Sequence, residues 1–205
     1  MSDVSSRVAV DVVLLPDSAC QEVILKLNAE LVEREQSAIR LDIDRCLPHL
    51  SLAMGCVERH DLVTLKTLLI DIVDTHIWSP LQIAGVTVRQ SGGFKRVSSL
   101  VFSANPSLQT LHESVLKIGK PLFCFAPTPP MFAGDDPISE STLAWVRTYV
   151  NQSSRDRFWP HITLGYGAVS NRSPMLTTMS PKAVAVCHLG NHCTCRQVLF
   201  ELPVA

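Results

Sequence analysis

An eight-residue pattern occurs twice in this chain, as PHLSLAMG at residues 48–55 and as PHITLGYG at residues 160–167. Each copy reads Pro-His-aliphatic-hydroxyl-Leu-x-x-Gly. Because side chains alternate between the two faces of a β-strand, His49 and Ser51 share one face, and His161 and Thr163 do the same. The aliphatic residues between them point the other way. The repeat predicts two strands that each bury an aliphatic face and present an imidazole and a hydroxyl group to one shared cleft.

The other hydrophobic patterns predict strands and helices in irregular alternation. Strands are predicted at residues 8–15, 39–44, 81–89, 97–103, 183–189 and 193–202, with a two-residue turn at Gly190 and Asn191 in the last pair. Helices are predicted from a capping box at Ser18 and Gln21, over residues 59–76, after Asn105 and Pro106, and at residues 139–150. This order favours an α+β protein with antiparallel sheets over a doubly wound parallel sheet.

Charge limits the class of partner. The 205 residues include 18 basic and 19 acidic side chains, which gives a formal net charge of -1. Tight, nonspecific binding along a nucleic-acid backbone needs clustered Lys and Arg, so this balance disfavours it. It leaves room for a small phosphorylated ligand or a nucleic-acid terminus held by a few contacts.

The N-terminal apolar segment and the cysteines favour a cytoplasmic monomer. Residues 8–15 are apolar but too short to span a bilayer, and Asp11 interrupts them, so no membrane association is expected. Seven cysteines are an odd number without the framework of a small secreted domain, and reduced thiols in a cytosol are therefore expected. The sequence shows no coiled-coil heptads, which makes a monomer the expected state.

The duplicated motif resembles that of the 2H phosphoesterase superfamily, and more closely its 2′-5′ RNA ligase-like cyclic phosphodiesterases. That superfamily is named for two His-x-Thr/Ser motifs, which here are residues 49–51 and 161–163. FWPHITLG at residues 158–165 is a typical second copy, and GGF at residues 92–94 and the strand at 97–103 also follow the family's layout. The resemblance covers most of the chain. One His-x-Thr alone usually marks an ordinary strand, whereas the matched pair is specific.

The resemblance implies a LigT-like fold, which is bilobal and pseudo-twofold, with two antiparallel sheets flanking a central cleft and helices on the outside. It implies one domain over residues 1–205, made of two interleaved lobes that each supply one motif strand. It also implies hydrolysis of 2′,3′-cyclic or 2′-5′ phosphodiesters, reversible as 2′-5′ RNA ligation, without a metal or other cofactor. The partner that it implies is an RNA terminus or a small cyclic-phosphate nucleotide. The catalytic residues that it implies are His49, Ser51, His161 and Thr163.

These residue types suit that chemistry on their own terms. Cleaving a cyclic phosphodiester requires taking a proton from the attacking water and giving one to the departing ribose oxygen. Histidine titrates near pH 6.5, so one imidazole can be neutral while its partner is charged, and each transfer typically contributes about 10²–10⁴-fold. The hydroxyl groups of Ser51 and Thr163 would donate hydrogen bonds to the phosphate. The motifs do not tell which histidine is the base and which the acid.

Four residues near the motifs are candidate substrate contacts. Arg157 and Lys95 have the charge to hold a second phosphate, although a solvated surface position is the commoner role of such residues. Trp159 and Tyr166 could stack on a base at the mouth of the cleft, and packing is the alternative for both. Packing in the interior is expected for Phe158.

A cluster of thiols and imidazoles near the C-terminus, with ligand types that suit zinc, is the main competing signal. Its members are Cys187, His188, His192, Cys193 and Cys195. With a two-residue turn, His188 would face the same side as Cys193 and Cys195, and the other two would face away. This division disfavours a four-ligand site, so buried reduced cysteines are expected and no metal is predicted.

Three further points leave the function open. A noncatalytic RNA- or nucleotide-binding module could keep the same cleft, although binding alone does not need two titratable groups. The excursion at residues 120–156 departs from the compact members of the family and could reshape the cleft, so the physiological substrate stays open. His60, His76 and His112 fall on predicted helices or their ends, where surface or capping positions are expected.

Overall fold

The computed structural model describes residues 6–90, 96–170 and 176–204. In these ranges the chain forms eight β-strands and four α-helices, and none of the helices is long and apolar enough to cross a membrane. The strands are β1 (Arg7–Pro16), β2 (Leu50–Glu58), β3 (Leu81–Gln90), β4 (Arg96–Phe102), β5 (His161–Tyr166), β6 (Thr178–Met179), β7 (Pro181–Leu189) and β8 (Cys195–Pro203). The helices are α1 (Ser18–Glu35), α2 (Leu62–Thr75), α3 (Pro106–Gly119) and α4 (Glu140–Gln152).

The eight strands follow one antiparallel order, β6-β3-β4-β5-β2-β1-β7-β8. The two strands of the repeated motif, β2 and β5, are the central neighbours, and they are joined where Leu50 lies opposite Ile162. Four strands lie on each side of this join, so the two expected sheets are the two halves of one strand order. The α+β class with antiparallel strands is confirmed.

Strand β1 shows how the sheet divides the interior. Its even-numbered residues from Val8 to Leu14 pack in the main core with side chains of α1, α2 and α3. The odd-numbered Ala9 packs instead with Val146 and Tyr149 of α4. Helix α4 therefore covers the face opposite the other three helices, and this is the face on which the odd-numbered Asp11 lies.

Most predicted elements are present with small shifts at their ends. Asn105 caps α3 as expected, because its Oδ1 accepts a hydrogen bond from the Leu108 N–H at 3.0 Å. The capping box predicted at Ser18 and Gln21 is wrong, since the N-cap of α1 is Asp17 and Ser18 is already helical. The GGF segment at residues 92–94, between β3 and β4, lies outside the described residues.

The strand predicted at residues 39–44 is wrong, because side chains bind the backbone groups that a strand would use. The amide oxygen of Asn28 in α1 accepts from the Leu41 N–H at 2.9 Å, and Oδ1 of Asp42 accepts from three following N–H groups at 2.5–3.1 Å. The Asn28 amide nitrogen also donates to the Leu164 carbonyl of β5 at 2.6 Å. The segment is thus tied to the second motif rather than paired in the sheet.

The predicted turn of the last hairpin is also wrong, since residues 190–194 join β7 to β8. His192 and Cys193 adopt left-handed φ angles of 61° and 53°, so the loop coils instead of turning in two residues. Cys187 and Cys195 consequently lie on the same side and form a disulfide, with Cα atoms 5.3 Å apart. The predicted faces of these two cysteines, and the expectation that all cysteines are reduced, are therefore wrong.

Candidate active site

The contact between β2 and β5 brings the polar residues of the two motifs together. Leu50 lies opposite Ile162, so the motif residues on either side of this pair lie close to one another. The four motif residues that line one common cleft are His49, Ser51, His161 and Thr163. The cleft has a volume of about 350 Å³, and small-molecule sites typically measure about 300–1,000 Å³.

Both imidazoles are oriented by the same kind of backbone contact. Nδ1 of His49 donates to the Leu47 carbonyl, and Nδ1 of His161 donates to the Trp159 carbonyl, each at 2.8 Å. Because a carbonyl oxygen only accepts hydrogen bonds, Nδ1 carries the proton, and Nε2 is the nitrogen that can take up or release one. The two rings therefore offer equivalent atoms for proton transfer.

His161 lies in a stack of aromatic and cationic groups. Its ring packs on Trp159 with centroids 4.2 Å apart, and the Arg89 guanidinium lies 3.7 Å from the centroid of the same indole. At these distances the two groups cannot share one face, so Trp159 is held between them. Burial lowers the pKa of His161 to about 4, and the nearby positive charges of His49 and Arg89 act in the same direction.

His49 has a carboxyl group beside it instead. Its Nε2 lies 3.9 Å from Oδ2 of Asp11, and the same oxygen is 2.5 Å from the Ser51 hydroxyl oxygen. Asp11 is completely buried, and burial raises the pKa of its carboxyl well above the ordinary value, against the effect of the Ser51 hydrogen bond. Burial also lowers the pKa of His49. The two halves of the site share a backbone geometry and differ in electrostatics.

Helix α4 forms one wall of the cleft. Its residues in the lining are Ser141, Thr142, Trp145, Tyr149 and Gln152. Trp145 is 46 % exposed, and an open indole of this kind can stack on a planar ligand ring. Because α4 belongs to the excursion at residues 120–156, that excursion shapes the cleft.

Asn191 joins this wall to the loop between β7 and β8. Its Oδ1 accepts hydrogen bonds from the Ser139 N–H at 3.1 Å and from the Thr142 hydroxyl at 2.8 Å, both at the start of α4. The same oxygen accepts from the His192 N–H at 3.0 Å. His192 and Cys193 also line the cleft, so the loop and the helix form one continuous surface.

His112 supports the second motif from within the core, contrary to its predicted surface or capping position. It is completely buried, and Nδ1 donates to the Leu52 carbonyl of β2 at 2.6 Å. Nε2 accepts from the Arg155 N–H at 2.9 Å, and the ring stacks on Phe158 at 4.0 Å. Burial lowers its pKa, which suits a neutral ring that donates once and accepts once. Phe158 packs against His112 and the main core as expected, but it is only half-buried and also lines the cleft.

The four candidate substrate contacts are placed differently. Trp159, Tyr166 and Arg157 all line the cleft. Both faces of Trp159 are covered, so the indole has no open face for a base. The Tyr166 hydroxyl is 3.1 Å from Nδ1 of His192. Lys95 lies outside the described residues.

The residues of the C-terminal cluster make separate contacts. Cys187 is bonded to Cys195, and Nε2 of His188 donates to the Met131 carbonyl at 2.9 Å. His192 is engaged with Tyr166 instead. Within the described ranges, no group of three or more metal-binding side chains converges.

Three residues that set the chemistry of the cleft, one of them buried behind it, were not predicted from the sequence. The sequence does contain a sign that Asp11 is unusual, because it is the single carboxylate within the otherwise apolar residues 8–15. Arg89 ends an ordinary strand, and its approach to Trp159 depends on a pairing of distant strands. Trp145 follows the hydrophobic pattern of a short helix, which does not indicate the face that stays open.

Known proteins resemble this chain in structure. No protein-family model matches it, and no curated protein matches its sequence. The crystal structure of E. coli LigT without ligand is 14% identical, covers 98% of this chain and 99% of LigT, and has a TM-score of 0.53. LigT in complex with phosphate is 16% identical over the same shares, also with a TM-score of 0.53. Identity this low shows the fold alone, and the fold of this chain is that of LigT.

Proposed function

We propose that this protein is a metal-independent phosphodiesterase that hydrolyses 2′,3′-cyclic or 2′-5′ phosphodiesters of RNA ends or nucleotides. The observation that supports it best is the pair of imidazoles at the β2–β5 contact, which present equivalent Nε2 atoms to one cleft. Two titratable groups and two hydroxyl groups suit a reaction that moves two protons around a phosphate.

In the hydrolytic direction, a neutral imidazole takes a proton from a water molecule whose oxygen attacks phosphorus. The bond from phosphorus to the ribose oxygen breaks, and the protonated imidazole gives its proton to that oxygen, which leaves a phosphate monoester. An anionic phosphate in the cleft favours a protonated ring and so opposes the lowering of both histidine pKa values by burial. If a 5′-hydroxyl group took the place of the water, its attack on the cyclic phosphate would break the bond from phosphorus to the 3′-oxygen and form a 2′-5′ linkage.

The two hydroxyl groups would stabilise the charge that builds on the phosphate. Ser51 and Thr163 would donate hydrogen bonds to its non-bridging oxygens. In the free cleft the Ser51 hydroxyl donates to Oδ2 of Asp11, and it would exchange this acceptor for a phosphate oxygen when a ligand binds.

A nucleotide ligand is consistent with the complexes known for the same fold. LigT has been crystallised with 3′-AMP, in a structure that is 14% identical to this chain with a TM-score of 0.51. A base would stack on Trp145, since Trp159 is covered on both faces. We expect Trp145→Ala to raise KM at least about fivefold with little change in kcat, because stacking on an aromatic side chain contributes about 1–3 kcal/mol per base.

The test is the pH dependence of turnover with a 2′,3′-cyclic nucleotide, measured with and without a metal chelator. A bell-shaped profile that the chelator leaves unchanged is the expected result, because one imidazole must be neutral and the other charged. Absence of turnover at every pH, with nucleotide binding retained, would indicate a noncatalytic binding module. Loss of turnover in the chelator would contradict the metal-independent mechanism.

A further inference from the structure

We propose that Asp11 is a positioning residue that divides the work of the two histidines, so that His49 protonates the leaving oxygen and His161 deprotonates the attacking water. This inference rests on the proposed phosphodiesterase function and adds an assignment that the repeated motif leaves open. It starts from the unlike neighbours of the two rings, which are a buried carboxyl group beside His49 and a guanidinium group near His161.

The setting of Asp11 is unusual for a carboxyl group in the middle of a sheet. The side chain is completely buried, and its Oδ2 serves both Ser51 and His49. Its Oδ1 has no hydrogen-bond partner among the residues that the structure describes. A buried polar atom without a partner lowers stability, and ionisable groups kept in such places occur preferentially at functional sites.

Among the ion pairs of the described residues, the one that involves Asp11 is with His49, at 3.9 Å. The charge of Asp11 also acts on Tyr149 from α4 and on Cys193 from the loop between β7 and β8. Burial and the charge of Asp11 raise the pKa of both, so they remain a neutral phenol and a neutral thiol. Cys187, opposite Asp11 on β7, is in the disulfide and does not titrate. At 3.9 Å from Nε2, the Asp11 carboxyl is therefore placed to stabilise the His49 ring in its protonated form.

The charges around His161 act in the opposite sense. Arg89 from β3 and His49 from the first motif both oppose its protonation. When an anionic phosphate enters the cleft, the ring beside the carboxyl group becomes the cation first, and the ring near the guanidinium stays neutral. His161 then takes one proton from water while His49 gives one to the ribose oxygen, so the two transfers balance. Exchange of one proton with solvent at each ring restores the starting state.

Substrates with different leaving groups separate the two roles. The ribose oxygen of a 2′,3′-cyclic nucleotide needs a proton as it leaves, whereas p-nitrophenolate from a nucleoside p-nitrophenyl phosphodiester does not. We expect His49→Ala to slow the cyclic substrate at least about 100-fold and the aryl ester about tenfold or less. His161→Ala should slow both substrates by similar large factors. The reverse pattern, or equal losses in both variants, would overturn the assignment.

Asp11→Asn tests the carboxyl group itself, because an amide keeps its shape but cannot ionise. We expect the alkaline limb of the pH–kcat profile for the cyclic substrate to move to lower pH, with turnover at about pH 8 reduced roughly tenfold. The aryl ester should be turned over at nearly the wild-type rate. Asp17→Asn makes the same chemical change at the N-cap of α1, outside the cleft, and should leave both limbs in place.

The possible failures are distinguishable. Wild-type protein that turns over neither substrate would refute the proposed phosphodiesterase function. Wild-type turnover with an unmoved alkaline limb in a folded Asp11→Asn variant would refute only the role of Asp11. Should Asp11→Asn not fold, the leaving-group comparison in the two histidine variants still decides the assignment.

Discussion

The two halves of the cleft have the same backbone geometry and different chemical surroundings. His49 and His161 each donate from Nδ1 to the carbonyl two residues earlier, at the same distance of 2.8 Å. Strand β1 then places Asp11 beside one ring, whereas β3 places Arg89 over the tryptophan that covers the other. The repeated motif thus determines where two protons can be exchanged. The neighbouring strands, which are not repeated, determine which ring carries a charge.

Removal of either imidazole should have the largest effect on turnover. The effect should be similar for both, so it does not distinguish the two halves of the cleft. We expect His49→Ala and His161→Ala each to lower kcat for a 2′,3′-cyclic nucleotide at least about 100-fold, because each removes one proton transfer. The double variant should lose less than the product of the two single losses. Steady-state kinetics check this, with His188→Gln as a control for a buried histidine outside the cleft. A histidine variant that keeps the full rate would remove that residue from the mechanism.

Substitution of the two hydroxyl residues should reveal the electrostatic difference between the two halves of the cleft. Ser51→Ala and Thr163→Val should each lower kcat about 10- to 100-fold, since loss of one donor to a developing oxyanion is typically costly. Ser51→Ala also removes the hydrogen bond that lowers the pKa of Asp11, so it alone should shift the alkaline limb of the pH profile. Equal shifts in both variants would contradict the electrostatic difference between the halves.

The sequence predicted the parts of the site that depend on local periodicity. Alternation in a strand places His49 with Ser51 and His161 with Thr163, and the structure brings all four to one cleft. Apolar spacing and capping residues predicted the core strands and α3 for the same reason. The LigT fold followed from resemblance of the motif rather than from periodicity.

The parts that sequence reasoning missed depend on contacts between distant segments. Asn28 binds the backbone of residues 39–41 and thereby prevents the strand that their alternation suggests. His112 has the spacing of an ordinary helical residue, yet its ring links the Leu52 carbonyl to the Arg155 N–H across the core. Periodicity identifies the buried face of an element but not the partner that meets it, so such polar contacts leave no local pattern.

Removal of the guanidinium group should change the pH dependence with little effect on the maximal rate. Arg89→Met keeps an apolar chain over Trp159 and removes the charge that helps to lower the pKa of His161 from its ordinary value to about 4. That pKa should therefore rise, and the acidic limb of the profile should move to higher pH, because a base acts only when neutral. Turnover at about pH 8 should stay within roughly twofold of wild type. Movement of the alkaline limb instead would place the effect on the wrong histidine.

The smallest effect should be on stability, and it should come from the half that contains Asp11. Burial raises the pKa of this carboxyl above its ordinary value of 3.8, so between these two values the folded state binds a proton that the unfolded state has released. The stability of the wild-type protein therefore falls as pH rises above the unfolded value, whereas Asp11→Asn removes this dependence. The quantity to compare is the free energy of unfolding of Asp11→Asn minus that of wild type. We expect this difference to favour the variant by roughly 1–3 kcal/mol more at about pH 8 than at about pH 4. For a chain of this size that is a relative rise in Tm of about 2–4 °C per kcal/mol, measurable by thermal unfolding at both pH values. Asp17→Asn is the matched control, and an equal pH dependence in wild type and Asp11→Asn would show that the buried carboxyl does not titrate as proposed.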